Sequence, residues 1–290
     1  MPRNLTFARL ACLALLAALA ASCTTPAGNR LADVPLSDDP LFGKFVWHDL
    51  ITDDVQAATA FYGGLLGWTF EETTHPGGGD YTVVFSGERL VAGIVALDDP
   101  ADADYSRWLG YLSVQDVDAA VGATRSAGGS AVAGPLDLPN VGRAAAIQDP
   151  QGAVVGLIRS DLGDPDDSLA PQPGVVVWNE MLASDDAAAA AFYAAIGGLQ
   201  VREESRPGGV YRVLSAQGKD RSAVMQRPND DIEPFWLTHF AVGNVAEAAE
   251  RAEALGGEVL LGPDPELRDG TIALVVDPTG AVLALQQWMP

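Results

Sequence analysis

Two stretches of this chain carry the same pattern, and the repeat limits the possible folds more than any other feature. FVWHDLITDDVQAATAFYGGLLGW at 45–68 aligns with VVWNEMLASDDAAAAAFYAAIGGL at 176–199. Trp47 falls on Trp178, Asp54 on Asp185 and Phe61-Tyr62 on Phe192-Tyr193, each pair 131 positions apart. Further on, Trp108 matches Trp236, Val114 matches Val242, Gly128-Gly129 match Gly256-Gly257, and DPQG (149–152) matches DPTG (277–280), each 128 apart. The chain is therefore an internal duplication, with one domain at 44–160 and its copy at 174–290. The net loss of three residues falls between the Phe-Tyr pair and the second Trp, an interval that holds HPGGGD (75–80) and RPGG (206–209). Both are Gly/Pro turn signals, where a change of loop length is tolerated. Residues 161–173 (DLGDPDDSLAPQP) have no apolar periodicity and read as an exposed linker between the copies.

Each copy repeats one local grammar twice. Residues 45–51 alternate like a half-buried strand. Asp53 or Asp54 can then cap a helix over 54–66, which carries Ala, Phe and Leu at helical spacing. YTVVFSG (81–87) and LVAGIVAL (90–97) read as two strands around a turn. The second half restarts with a strand at 108–114, a helix opened by Asp116 that stops at Gly128-Gly129, and strands at 131–138, 143–149 and 153–159. Copy two repeats this through the helix at 244–257 and the strands at 271–277 and 281–288. Strand, helix, then strands, four times over, predicts an α+β fold with helices on one face of a sheet.

The N-terminus reads as an address. Residues 1–9 carry Arg3 and Arg9 and no acid, and Leu10–Ala21 is an apolar run too short to cross a bilayer core of about 30 Å as a helix. A basic start, a short apolar core and small residues before a cut make a secretory signal at 1–22. Leu19-Ala20-Ala21-Ser22 runs directly into Cys23 and resembles the lipobox of bacterial lipoproteins. That resemblance implies acylation of Cys23, a tether over 23–43, and a protein held at the bacterial cell envelope by its lipid. The charge points the same way on partners. With 39 acidic against 17 basic residues, a net charge of −22, the surface repels a phosphate backbone and nucleic acid is excluded as a partner.

The opening strand, Asp54, Phe61-Tyr62 with Leu65-Leu66-Gly67-Trp68, V-x-D-V-D-A-A-V (114–121) and DPQG, matched in copy two by Asp185, Phe192-Tyr193, Val242, Gly256-Gly257 and DPTG, resemble the glyoxalase, bleomycin-resistance and extradiol dioxygenase superfamily. The resemblance implies tandem domains, each of paired βαβββ modules curled around a cavity. It also implies that a small molecule is handled there, in enzymes commonly with a divalent metal. The family's ligand positions fall on Trp47, Leu109 and Gly156 in copy one and on Trp178, Leu237 and Ala284 in copy two. None of these six offers a donor, so no cofactor is predicted, although the family leaves a divalent metal open.

Strand alternation places further residues beside those positions. Asp49 and Tyr111 in copy one, and Glu180 and His239 in copy two, share a face with Trp47 and Trp178. These six are the candidate ligand-binding residues. His48 points to the other side of its strand, and His75 lies in a Gly-rich turn. Three functions stay open. The leading one is a membrane-tethered protein that binds a small apolar or aromatic molecule without the usual metal. The second is a lyase or oxygenase using Glu180 and His239 as an acid/base pair or displaced metal ligands. The third is a structural or partner-binding lipoprotein. Two fused copies can pair within one chain, so a monomer is expected.

Overall fold

The computed structural model describes residues 36–74, 80–97, 106–138, 141–206 and 208–288. Residues 1–35, which hold the leader expected from sequence, Cys23 and most of the expected tether, lie outside them, as does His75. After a short strand β1 (Leu36–Ser37), copy one runs β2 (Phe45–Thr52), α1 (Val55–Leu66), β3 (Trp68–Thr74), β4 (Asp80–Ser86), β5 (Arg89–Ala96), β6 (Arg107–Ser113), α2 (Val117–Ser126), β7 (Ser130–Leu138), β8 (Gly142–Gln148) and β9 (Val154–Ser160). A short β10 (Asp164–Pro165) lies in the linker. Copy two runs β11 (Val176–Ala183), α3 (Asp186–Gly197), β12 (Gln200–Arg206), β13 (Gly209–Ala216), β14 (Lys219–Gln226), β15 (Phe235–Val242), α4 (Val245–Ala254), β16 (Glu258–Leu261), β17 (Ile272–Val276) and β18 (Val282–Gln287).

The caps expected from sequence are in place. Asp54 accepts from Ala57 N at 2.8 Å, and Gly67 closes α1 in the left-handed region at φ 71°. Asp185 and Gly198 do the same for α3. The strand pattern missed β3, because on this edge strand little beyond Trp68 is buried and the apolar alternation is absent. Each copy forms one eight-stranded sheet, in the orders β3-β4-β5-β2-β6-β9-β8-β7 and β12-β13-β14-β11-β15-β18-β17-β16. In both sheets the two halves meet at an antiparallel central pair, β2 with β6 and β11 with β15. The pairing also divides the three-residue length change. Asp49 pairs with Gly93 and Glu180 with Ala223, so the offset between those partners is 130. One residue is thus lost around the β3–β4 turn, and the other two between β5 and β6.

The helical faces of the two sheets pack on each other, and both main cores are shared between the copies. One joins Leu50, Phe61, Tyr62, Trp68 and Trp108 to Phe240, Val245, Ala252 and Leu285. The other joins Leu112, Val121 and Val155 to Met181, Phe192, Tyr193, Ile196 and Trp236. Aromatic rings carry much of this. Trp108 stands 4.9 Å from Phe240 and 5.4 Å from Tyr62, centroid to centroid. Each such ring buries about 150–250 Å². Neither copy has a complete helix-side core of its own.

Six of the linker's thirteen residues are exposed, as its composition suggested, but part of it is packed down. Asp164 is 1% exposed and accepts from Leu41 N and Ser113 Oγ. β10 pairs antiparallel with β1, and Trp68 Nε1 donates to Gly174 O at 2.8 Å. Backbone amides and carboxylates that composition alone assigns to water find protein partners here, and residues 36–41 are held down with them.

Candidate functional site

In each sheet the face turned away from the helices gathers the residues that alternation predicted. In copy one Trp47 pairs with Tyr111, and Asp49 with Leu109 and Gly93. Copy two repeats this as Trp178 with His239, and Glu180 with Leu237 and Ala223. His48 faces the opposite way. It is buried at the junction of the copies, where its Nε2 lies 2.9 Å from Oδ1 of Asn179, its own counterpart in the repeat.

Copy one's outer face is filled. Trp47, Tyr81, Val83, Val95, Leu109, Tyr111, Ala144 and Ile158 belong to one continuous apolar cluster. Two glycines let the rings down onto the strands. A Cβ on Gly156 would stand 2.0 Å from the Tyr111 ring, and one on Gly93 would stand 1.7 Å from the Tyr81 hydroxyl. Asp49 is sealed beneath, accepting from Tyr81 OH at 2.7 Å and Trp47 Nε1 at 2.9 Å. Burial pushes its pKa up to about 6, against the hydrogen bonds from Tyr81, Trp47 and Tyr111.

Copy two has Ala284 and Ala223 at the two glycine positions, and its outer face is less completely closed. Its apolar residues separate into two small clusters, one with Tyr211, Val213 and Ala223, the other with Leu237, Ile272 and Ala284. Trp178, Met225, Leu274 and Gln286 are only half-buried, whereas Trp47, Val95, Ala146 and Ile158 at the equivalent positions are buried. Polar groups occupy the space between the clusters. Trp178 Nε1 donates to Tyr211 OH at 2.8 Å, and Tyr211 OH donates to Glu180 Oε2 at 2.7 Å. Arg268 forms an ion pair with the same oxygen. Burial works against the Glu180 charge, but His239, Arg268 and the hydrogen bond from Tyr211 outweigh it and hold the carboxyl below its usual range. The Arg206 guanidinium lies 3.5 Å from the centre of the Tyr211 ring, in cation–π contact.

His239 is fully buried, with Nδ1 3.1 Å from Gln286 Oε1. With that oxygen accepting, the proton sits on Nδ1 and Nε2 presents a bare lone pair, which has no partner among the described residues. Burial lowers the imidazole pKa to about 4, so the ring is neutral near pH 7. Glu180 does not orient His239; Gln286 does. The acid/base pair expected from sequence is therefore not hydrogen-bonded as a pair.

Of the six positions that the resemblance implies for a metal, Trp47 and Leu109 share one outer-face cluster, and Leu237 and Ala284 share another. The side chains present do not fit a divalent ion. The carboxylates on these faces are already engaged, Asp49 by Tyr81 and Trp47 and Glu180 by Tyr211 and Arg268, and the arginine's charge opposes a cation.

Sequence reasoning missed Tyr81, Tyr211, Arg268 and Gln286. The two tyrosines had a signal, since they open equivalent strands of the repeat. Arg268 had none. It reaches Glu180 from 88 residues away on a tight turn where Arg268 and Asp269 take left-handed backbone angles, φ 48° and 55°. A non-glycine residue pays about 1–2 kcal/mol for that conformation, a strain often found at functional sites.

Comparison with known proteins agrees with the geometry. The family model for the Glyoxalase/Bleomycin resistance protein/Dioxygenase superfamily matches residues 44–157 and again 176–285. CFP32 of Mycobacterium tuberculosis, whose name proposes a glyoxylase, is 33% identical over 249 residues, spanning 84% of this chain and 94% of that protein. The anthracycline biosynthesis protein DauV of a Streptomyces species is 31% identical over 252 residues, spanning 82% and 91%. The Mn(II)-bound glyoxalase from Novosphingobium aromaticivorans shares the fold at a TM-score of 0.58 and 17% identity, with 85% of this chain and 82% of that chain covered. With the family pattern matched in both copies and two eight-stranded sheets packed through their helices, this chain belongs to the glyoxalase, bleomycin-resistance and dioxygenase superfamily, as a tandem duplication of its domain.

Proposed function

We propose that the protein binds a small apolar or aromatic molecule on the outer face of copy two, while copy one serves as scaffold. The observation that carries this reading is the contrast between the faces. Copy one's is one closed core, whereas copy two's splits into two small clusters with Trp178, Met225 and Leu274 only half-buried, and the His239 Nε2 beneath them is a buried acceptor with no partner among the described residues. Trp178, Phe235, Leu274 and Met225 supply half-buried apolar walls, and His239 Nε2 accepts a hydrogen bond from a ligand hydroxyl or N–H. The ion pair of Arg268 with Glu180 fixes Tyr211 and Trp178 in place. The name of the Streptomyces relative, which refers to anthracyclines, fits a hydroxylated aromatic ligand. Titration with dihydroxyanthraquinone should quench tryptophan emission and raise the melting temperature, and His239→Leu should weaken both effects about tenfold or more. No response in the wild type, or an equal response in the variant, rejects the reading.

A second reading, enzymatic, draws on the same bare Nε2, which is placed as a proton acceptor for a bound substrate. Turnover of a bound ligand by the wild type but not by His239→Gln would favour it. We further propose that the chain is exported and held at the cell envelope through a lipid on Cys23. Cys23→Ala should then move the protein from the membrane to the soluble fraction, and unchanged fractionation would reject the anchor.

A further inference from the structure

Residues 262–270, which lead from β16 into β17, reach across the outer face of copy two. The sheet order places β18 and β15 between β17 and β11, yet Arg268 of this turn pairs with Glu180 on β11. Its guanidinium also lies 5.4 Å from the centre of the Tyr211 ring. Trp178 pairs with His239 and Glu180 with Leu237, so the ion pair stands beside His239 on one face, close enough for the Arg268 charge to act on the imidazole.

Little else ties the turn down. None of its residues is buried or belongs to an apolar cluster. Its own bonds are local, with Leu267 N donating to Asp264 O, Glu266 N to Asp264 Oδ1 and Gly270 N to Leu267 O. Among the described residues, Arg268 supplies the one side-chain bond from 262–270 to a distant strand. The equivalent connection in copy one is fixed differently. At the repeat offset of 128, Leu138 corresponds to Glu266 and Val141 to Asp269. Leu138 and Val141 are buried in the cluster of Trp47, Leu109 and Tyr111, so that connection plugs its own face. Glu266 and Asp269 are exposed carboxylates, and burying them in an apolar core without partners is too costly. Copy two has kept the connection and lost the plug. An ion pair holds it closed instead, on a turn where Arg268 and Asp269 take left-handed backbone angles that persist only while their surroundings enforce them.

On the reading that this face binds the ligand, we propose that residues 262–270 form a lid over it, latched by the Arg268–Glu180 ion pair, which opens to admit the ligand to His239 and closes behind it. Opening hydrates both charges together, so neither is left buried without its partner. The lid also accounts for His239 Nε2, an acceptor without a partner among the described residues that is sealed from water while the latch is closed.

Diethyl pyrocarbonate, which acylates neutral imidazole, tests the lid on the full chain without any ligand. His239 and His48 are both neutral near pH 7, and His239 is the more deeply buried, 0% exposed against 4%. His48 lies at the junction of the copies, hydrogen-bonded to Asn179. Static burial predicts that His48 reacts at least as fast as His239. Lid opening predicts that His239 reacts at least about tenfold faster, read by mass spectrometry. Glu180→Gln with Arg268→Met, which removes the latch without stranding a charge, should raise the His239 rate by a further factor of about ten and leave His48 unchanged. Should that variant fail to fold, Arg268→Lys, which keeps the charge but loses the planar fork, should raise the His239 rate alone. A wild-type His239 no faster than His48, or a folded latch variant in which the His239 rate stays put or both rates rise together, overturns the lid. Dihydroxyanthraquinone should protect His239 in the wild type. Binding without protection also overturns the lid, whereas no binding rejects the reading of the face, and the ligand-free rates then decide the lid by themselves.

Discussion

The hydroxyl of Tyr62 donates a 2.8 Å hydrogen bond to Asp277 Oδ2, across 215 residues and from one copy to the other. The reverse bond, Tyr193 OH to Asp149 Oδ2 at 2.9 Å, completes the pair. Each Asp also orders its own turn, Asp149 accepting from Gln151 N and Ala153 N, and Asp277 from Thr279 N and Ala281 N. The Phe-Tyr pair and the D-P-x-G turn, which recur separately in sequence, are thus two halves of one lock between the copies.

Removing Tyr62's hydroxyl leaves a buried carboxylate oxygen without its donor and takes the acceptor from Trp108 Nε1, now at 2.9 Å. Tyr62→Phe should destabilise the chain by about 2–4 kcal/mol in urea unfolding, with Tyr193→Phe costing about 1–3. The two locks use separate residues in separate cores, so the double variant should be close to additive. Strong non-additivity would show that they act as one unit.

Gly156 should not accept even one methyl group. With Tyr111 lying 2.0 Å from the new Cβ, Gly156→Ala should cost about 1–3 kcal/mol or more. Tyr111→His in the same chain, which reproduces the copy-two arrangement of Ala284 with His239, should recover part of that loss. Thermal melts of the two single variants and the double variant give the coupling. A double variant no better than the sum of the singles would mean that Tyr111 does not fill the face.

Arg268 neutralises a buried carboxylate. Arg268→Met should destabilise the protein by about 3–5 kcal/mol and raise the Glu180 pKa, because the carboxylate loses its counter-charge while staying buried. Glu180→Gln added to Arg268→Met should bring stability back toward the wild type. Carboxyl titration by NMR together with chemical denaturation measures both effects.

Stability should rise with pH between about 4 and 6.5. His48 and His239 have pKa values lowered by burial from 6.5 to about 4, so in this window the unfolded chain binds more protons, and raising pH favours the fold. Asp49 opposes them. Its pKa is raised by burial from 3.8 to about 6, so the folded state holds the extra proton, and this contribution is lost as pH rises through that interval, on the order of 3 kcal/mol in all. The two histidines outweigh the one aspartate, and Asp49→Asn should steepen the rise. Urea midpoints at several pH values check this, and a flatter slope in the variant would contradict it.

Much of the candidate site was legible because strand alternation is a local property. From the positions that the family resemblance implies, alternation placed Asp49 beside Trp47, Glu180 beside Trp178, Tyr111 beside Leu109 and His239 beside Leu237. Arg268 and Gln286 were not legible, since their role depends on how a distant turn and the C-terminal strand fold over β11 and β15. The contacts of the linker were not legible for a related reason. Pro and Asp favour exposed chain on average, but Asp164 and Asp167 meet Ser113, Lys44 and Arg221, which only the packed copies bring together.

From the sequence alone came the duplication, the α+β grammar, the helix caps and the set of residues on each outer face, because periodicity, capping and repetition act over a few residues or by direct comparison. The tertiary structure decided which copy holds the site. Both copies carry the same Trp–Tyr–carboxylate chain, and the difference lies in how close a ring can come to a strand. Gly156 and Gly93 let two tyrosines close one face, and with Ala284 and Ala223 the other divides into two clusters with a buried His239 between them.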